Sequence, residues 1–422
     1  MSYKNNKCYW LLVHHFVYFE FGKNGVLLYN TINNKFIKLN EQSPVIEYLK
    51  YISENQLCPI VNEIDLSNLL LKSHLEYLKN NFIIDLLPVK DSSLPPIQHV
   101  FKANIQSNIK SEKLKGIRAT GNKVLRYLSE ITIYLTDKSF SLTCDDDYYY
   151  NAHEQFVWPV CSKDKNTYIN VIKTIKFLEK LPYSSVSLIN LVGGNPFLHD
   201  DYWLLYDYCN RIKKCCVVNY LYIDEWLDYW LKLKLNENEL FEQINISLCI
   251  TPEKLEKINL NEFLYTLTNV RHAEFRFIID TRNEFDNYES FISMLNGKDI
   301  AYELYFEKDK SICSFYFNEN EIVASKPSME DILARKELNQ VQFGKLIIKN
   351  NGNVFGNSHN GSYIGNLYIN DLESIVYKEL TQGSSWLSTR NNFFPCYDCT
   401  YRAICPPLSS YEIASQKKVC NK

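Results

Sequence analysis

The stretch "VSLINLVGGNPFLHDDYWLLYDYCN", Val186 to Asn210, decides the fold. Its apolar run from 186 to 191 is too short for a helix and fits a buried strand. A Gly-Gly turn and Asn195-Pro196 follow, and from about 200 to 213 the pattern becomes helical. The same unit recurs on both sides. Strands fit at 131–136, 186–191, 215–220, 244–250, 274–279 and 301–306, with helices near 167–181, 200–213, 223–234, 252–267 and 285–296. Alternation of this kind predicts α/β architecture, with parallel strands joined by right-handed crossovers. Six such units fit a partial barrel, and the alternation alone does not separate an open barrel from a doubly wound sheet.

The chain has 422 residues, enough for two or three domains with their own cores. Hydrophobic residues make up 46% and aromatics 14%, which argues for order along most of its length. A formal charge of −3 gives no electrostatic footing for a phosphate backbone, so nucleic acid is not expected as a partner. The N-terminal run "CYWLLVHHFVYFEF" is interrupted by His14, His15 and Glu20 and is followed by no small-residue cleavage site. No stretch has the roughly 18 apolar residues of a membrane span. The expectation is a cytoplasmic protein that does not enter a membrane.

Before the barrel, strands fit at 16–21, 26–30 and 36–39 around the turns Gly22–Gly25 and Asn33-Asn34. A helix is expected from Ser43 as N-cap and Pro44 as first residue. A second covers about 65–80, with Leu66, Leu69, Leu70 and Leu78 on its buried side, and 82–87 returns as a strand. The segment Pro88 to Pro96 has the composition of a linker. His14 and His15, adjacent on a strand, would point to opposite faces and so share no ion.

Eleven of the 13 cysteines fall into two groups. Cys8, Cys58, Cys209, Cys215, Cys216, Cys249 and Cys313 sit singly in apolar runs and read as small buried hydrophobes. Cys396, Cys399, Cys405 and Cys420 are spaced C-x2-C-x5-C-x14-C, and two thiolates two residues apart can share a metal through a tight turn. That tail is expected to hold iron-sulfur, with zinc as the alternative. It follows a hairpin at 346–355, turning at Asn351-Gly352, and a helix near 370–380.

These motifs resemble a known family. "LVGGNPFLHDDYW", "GKLIIKNNGNVFG", "IGNLYINDLESIV" and "CYDCTYRAICP" resemble segments of radical SAM enzymes that carry a C-terminal SPASM extension and modify ribosomally made peptides. The first 90 residues resemble the winged-helix leader-binding element often fused to them. The resemblance implies a winged-helix-like recognition unit over 1–90, a linker and lead-in helices over 91–130, a radical SAM type partial (β/α)6 TIM-like barrel over 131–310, and a SPASM-like iron-sulfur extension over 311–422.

The departures carry most of the functional expectation. The family holds its S-adenosylmethionine cluster with three cysteines, and those positions here are Phe140, Cys144 and Asp147. The Gly-Gly-Glu-Pro motif reads Gly193, Gly194, Asn195 and Pro196, so the carboxylate for the cofactor's amino group is lost. Cys144 reads as a remnant. In the extension, Ser409 and the region of Asn357 stand where one auxiliary cluster would have ligands, whereas Cys396, Cys399, Cys405 and Cys420 match the other. The chain thus resembles the pseudo-radical-SAM proteins of Bacteroidales peptide-maturation systems. That implies a non-catalytic accessory protein with one 4Fe-4S cluster and no S-adenosylmethionine. Its partners would be a precursor peptide, added as a strand beside Lys35, Phe36, Ile37 and Lys38, and an active radical SAM maturase. The alternatives are a redox or peptide-modifying enzyme using the surviving cluster, with Asp145 to Asp147 as conceivable hard ligands, and a zinc-bearing interaction module.

Overall fold

The computed structural model of the chain describes residues 7–90, 94–98, 109, 111, 113–140, 157–159, 168–212, 215–233, 243–251, 259–279, 288–289, 291–293, 295, 299–304, 318–356 and 363–420. Its N-terminal strands are β1 (Cys8–Val13), β2 (Val17–Gly22), β3 (Gly25–Asn30), β4 (Phe36–Leu39), β5 (Ile60–Asn62) and β6 (Ile84–Pro88), with helices α1 (Ile46–Asn55), α2 (Glu63–Ser67) and α3 (Leu69–Asn80). They form two antiparallel sheets, in the orders β5-β1-β6 and β2-β3-β4. The apolar run at Cys8 is therefore a strand in its own right. His14 and His15 lie at the turn after it, not on a strand, and the His14 ring stacks on Phe16.

Every residue of β3 is buried, because both faces of its sheet are covered. Val26, Leu28, Ile37 and Leu39 pack toward α1 and α3, in a core with Leu49, Ile52, Leu71, Leu75 and Leu78. Leu27, Tyr29 and Tyr18 face the other way, against the C-terminal tail. Two helix expectations need correction. Helix α1 starts at Ile46 with no side-chain cap, because the Ser43 hydroxyl is engaged with His74 Nδ1 at 3.0 Å. The second helix breaks at Asn68, which caps α3 by accepting from Leu70 N and Leu71 N and so resets the helical phase. Leu69 and Leu70 consequently face outward, and Leu71, Leu75 and Leu78 take the buried positions.

Strands β7 (Glu130–Thr136), β8 (Leu188–Gly193), β9 (Cys216–Tyr222), β10 (Asn245–Ile250), β11 (His272–Ile279) and β12 (Asp299–Leu304) pair in parallel and in sequence order. Ile131, Ile133, Leu135, Leu191, Leu221 and Leu248 point to one face, where the helices Tyr202–Arg211, Ile223–Leu233 and Leu260–Thr266 pack. Sequential order with the helices on one face is single winding, as in a barrel. A doubly wound sheet reverses order at a switch point and covers both faces. The opposite face carries a separate cluster of Tyr134, Val192, Tyr220, Tyr222, Cys249 and Ile278, into which Trp158 inserts with no exposure.

Strand β12 does not close on β7. Instead β13 (Lys345–Ile348) pairs in parallel with β7, and β14 (Asn353–Phe355) and β15 (Tyr363–Asn366) extend the sheet to nine strands. The turn at Gly352 has φ of +83°, which glycine accepts without strain. Among the described residues no helix is long and apolar enough to cross a membrane.

Candidate functional site

At the C-terminal mouth of the barrel, the Gly193-Gly194 turn passes hard against the end of β7. A Cβ would stand 2.3 Å from Thr136 O at Gly193 and 2.4 Å from Lys138 O at Gly194, so both positions require glycine. Asn195 N donates to Lys138 O at 2.7 Å, and its side chain accepts from Phe197 N at 3.1 Å, capping the short turn that follows. The Asn195 amide also donates to Glu225 Oε2 at 3.2 Å, while the Ser139 hydroxyl donates to Oε1 of the same carboxylate. Asn195 and Glu225 are both fully buried. A buried carboxylate from the helix Ile223–Leu233 thus stands against the Asn195 amide. The sequence did hold a signal, an acid between Asp224 and Trp226 at the start of an apolar helix.

Phe140 lies beside Ser139 on the same rim, with the Lys232 ammonium 3.2 Å from its ring centroid. Cys144 and Asp147 lie outside the described residues, as do Asp145 and Asp146. Trp158 fills the barrel side of this mouth: Tyr134 O–H donates to its carbonyl at 3.3 Å, and Tyr222 O–H donates to Pro159 O at 3.3 Å. His199 accepts from Asp201 N at Nδ1 and donates from Nε2 to Ile169 O, a packing and capping role. Replacing Asn195 with alanine deletes a cap and takes one donor from a buried carboxylate. A loss of about 2 kcal/mol in urea unfolding is expected, and a loss under 0.5 would mean that water replaces the amide.

In the tail, Cys396 N donates to Phe393 O at 2.8 Å, Cys399 N to Cys396 O at 2.9 Å and Cys405 N to Tyr401 O at 2.8 Å, folding 393–405 into consecutive tight turns. Helix Ser410–Ser415 then starts at Ser409, whose hydroxyl accepts from Glu412 N in a capping box, and the chain returns to place Cys420. Ser409 therefore spends its oxygen on a helix start, and Asn357 lies outside the described residues. All four cysteines are free thiols, with Cys396, Cys405 and Cys420 buried and Cys399 half-buried. Burial pushes the thiols of Cys396 and Cys399 up, and that of Cys405 up to about 12. Cys405 and Cys420 share one buried cluster, and Cys399 packs against it.

Arg390, missed by sequence reasoning, anchors that neighbourhood. Its guanidinium donates to Cys396 Sγ at 3.4 Å, to Pro406 O at 2.7 Å and to both oxygens of Glu412 at 2.8 and 3.0 Å. Four sulfur donors beside a fixed cation suit an iron-sulfur cluster or zinc, since the guanidinium offsets thiolate charge. Among the described residues, no three His, Cys, Asp or Glu side chains already converge to hold an ion. The donor chemistry fits, and loading would have to draw the sulfurs together. The single cysteines divide: Cys58, Cys209 and Cys249 are buried as expected, whereas Cys8 and Cys215 are half-buried, Cys216 is exposed and Cys313 lies outside the described residues.

The third feature is the edge of β4, an outer strand of its sheet. Asn30 N donates to Lys35 O, which fixes the phase of the β3–β4 ladder. By antiparallel alternation the Ile37 and Leu39 backbones bond to β3, and those of Phe36 and Lys38 face outward. Helix α3 runs beside this edge, tied by Lys35 Nζ to Asn81 at 3.4 Å and by His74 to Ser43. The helical period puts Leu70 and Tyr77 on the same flank as His74, and both are more than half exposed. An edge that no described strand pairs with, beside an exposed helix flank, suits an extended peptide.

No protein-family model matches the sequence, and no curated protein matches it. Solved structures similar to the chain include SuiB of Streptococcus suis bound to the precursor peptide SuiA, with a TM-score of 0.45 at 14% identity over 98% of this chain and 100% of that one. SuiB bound to S-adenosylmethionine gives 0.42 at 14% identity over 97% and 100%. BtrN in complex with AdoMet and 2-DOIA gives 0.27 at 13% identity over 64% and 91%.

Proposed function

We propose that this chain is a non-catalytic accessory protein of ribosomal peptide maturation, of the pseudo-radical-SAM kind. In this reading the N-terminal unit is a winged-helix-like element that takes a precursor's leader as an added strand along β4. The barrel and the SPASM-like tail would present the rest of the peptide to a catalytically competent radical SAM partner in the cytoplasm. Cys396, Cys399, Cys405 and Cys420 would hold one 4Fe-4S cluster, or zinc, which would supply folding energy to the tail. S-adenosylmethionine is not part of the reading, because Asn195 is committed to Glu225 and Phe140 offers no ligand atom.

The observation that carries the proposal is the outward-facing backbone of Phe36 and Lys38 on the edge strand β4, with α3 tied alongside through Lys35–Asn81 and Ser43–His74. Two residues offer four hydrogen bonds, together worth roughly 2–6 kcal/mol at 0.5–1.5 each. With apolar contacts on α3, micromolar affinity is within reach. Replacing Lys38 with proline removes an outward N–H without deleting a β3–β4 bond. Fluorescence anisotropy with a labelled leader peptide should show affinity falling about tenfold or more while circular dichroism stays unchanged. Unchanged affinity would move the peptide to another surface. Reductive cleavage of S-adenosylmethionine by this chain alone would overturn the non-catalytic assignment.

A further inference from the structure

Among the described residues, the face of the β2-β3-β4 sheet turned away from α1 and α3 rests on Ile322, Val323 and Ile332 and on the segment that carries the thiols. Leu27, Tyr29 and Phe36 share one buried cluster with Tyr401, Ile404 and Cys405, and Cys420 lies in the same cluster. Polar contacts fix the fit. Lys23 N donates to Asp398 O at 2.9 Å, and the Arg402 guanidinium donates to Phe21 O at 3.0 Å and reaches the Glu20 carboxylate, which Lys336 meets from its other side at 3.1 Å. The approach is close enough that a Cβ at Gly22 would fall 2.6 Å from Asp398 O and 2.8 Å from Thr400 N. Phe36 and Lys38 thus present backbone to the free edge and side chains to the tail, Phe36 in the shared cluster and the Lys38 ammonium 5.8 Å from the Tyr401 ring.

The turns holding Cys396, Cys399 and Cys405 are therefore the floor under the β4 edge. The thiols do not converge as they stand, so loading them must move that floor, and a close-packed contact transmits such a movement. We infer that metal binding at the four cysteines and peptide binding at the β4 edge are coupled. Filling the thiol site sets the strand edge in its receptive geometry, and peptide on the edge tightens the hold on metal. This inference rests on the peptide-binding reading of β4 and adds its regulation. Reciprocity is required, because one coupling free energy serves both directions.

The test uses the full chain, zinc alone as the metal probe, and a peptide obtained by panning a random display library on the metal-free protein. Panning without metal keeps the selection from favouring the loaded state. Zinc should tighten that peptide about tenfold, and the peptide should tighten zinc by the same factor. Hydrogen exchange at the Phe36–Leu39 amides should slow on zinc addition even without peptide. The wedge Gly22→Ala, which alters no cysteine and no β4 residue but presses on Asp398 and Thr400 beside Cys399, should retain both binding events and bring both ratios near one. Equal peptide affinity with and without zinc would overturn the coupling and leave the peptide site standing, and a wedge variant that keeps the tenfold ratio would overturn the proposed contact as its path. Failure to recover any peptide sensitive to Lys38→Pro would overturn the peptide site itself.

Discussion

Replacing Glu412 with alanine is expected to destabilise the fold by about 3–5 kcal/mol, because it leaves the buried Arg390 guanidinium without its counterion. Both members of this pair are almost completely buried, 5% and 1% exposed at the side chain, and their two parallel bonds have the fork geometry that makes such pairs strong. The same substitution removes the acid that completes the capping box of helix Ser410–Ser415. The loss should appear as a large drop in the urea midpoint with little change in slope. Replacing both residues with apolar ones of similar volume, Arg390→Met with Glu412→Leu, should recover much of it, since the larger part of the cost is the stranded charge and not the missing attraction. A single variant within 1 kcal/mol of wild type would mean that water reaches Arg390.

Glu379 should behave in the opposite way, its replacement by glutamine stabilising the protein above neutral pH. Its carboxylate is fully buried, accepts from Ser385 N at 3.1 Å and Trp386 N at 3.0 Å through one oxygen, and has no partner for the other among the described residues. Burial pushes its carboxyl up to about 7, from an ordinary 4.5. A folded-state value above the unfolded one means that the stability attached to the neutral carboxyl is complete below pH 4.5 and drains away as pH rises through 7. Two and a half units correspond to about 3 kcal/mol of penalty in full at pH 8. Glutamine keeps the accepting oxygen and never ionises. The difference between variant and wild type, from urea unfolding at pH 5 and pH 8, should therefore grow by 2–3 kcal/mol. A pH-independent difference would mean that Glu379 titrates at its ordinary value.

How much was legible depended on how local the cause was. Strands β7 to β12 stand within about two residues of where their apolar runs put them, because a doubly covered strand is apolar at every position. Their winding was not legible, since it depends on which strands pair. The helix break at Asn68 lay in plain view, yet its consequence, the outward turn of Leu69 and Leu70, follows only from the new phase. Ser43 had the chemistry of a cap, but a histidine 31 residues away claimed its hydroxyl. The cysteine spacing and the glycine pair at 193–194 were readable because turn chemistry is local. Arg390, Glu412 and Trp158 were not, because each owes its role to a partner distant in sequence.

The pairing of β13 with β7 has a consequence for synthesis. Ser129, the residue before β7, bonds to Gly344 across 215 residues. At roughly 5–20 residues per second, about 10–40 s pass between translation of the first strand of the barrel and arrival of the strand that covers its outer edge. During that interval an apolar strand edge waits beside the ribosome with nothing to pair with, a standing invitation to intermolecular β-pairing. A chain that ends before residue 345 would carry that exposed edge permanently, and should be recovered as aggregate even though every βα unit of the barrel is present.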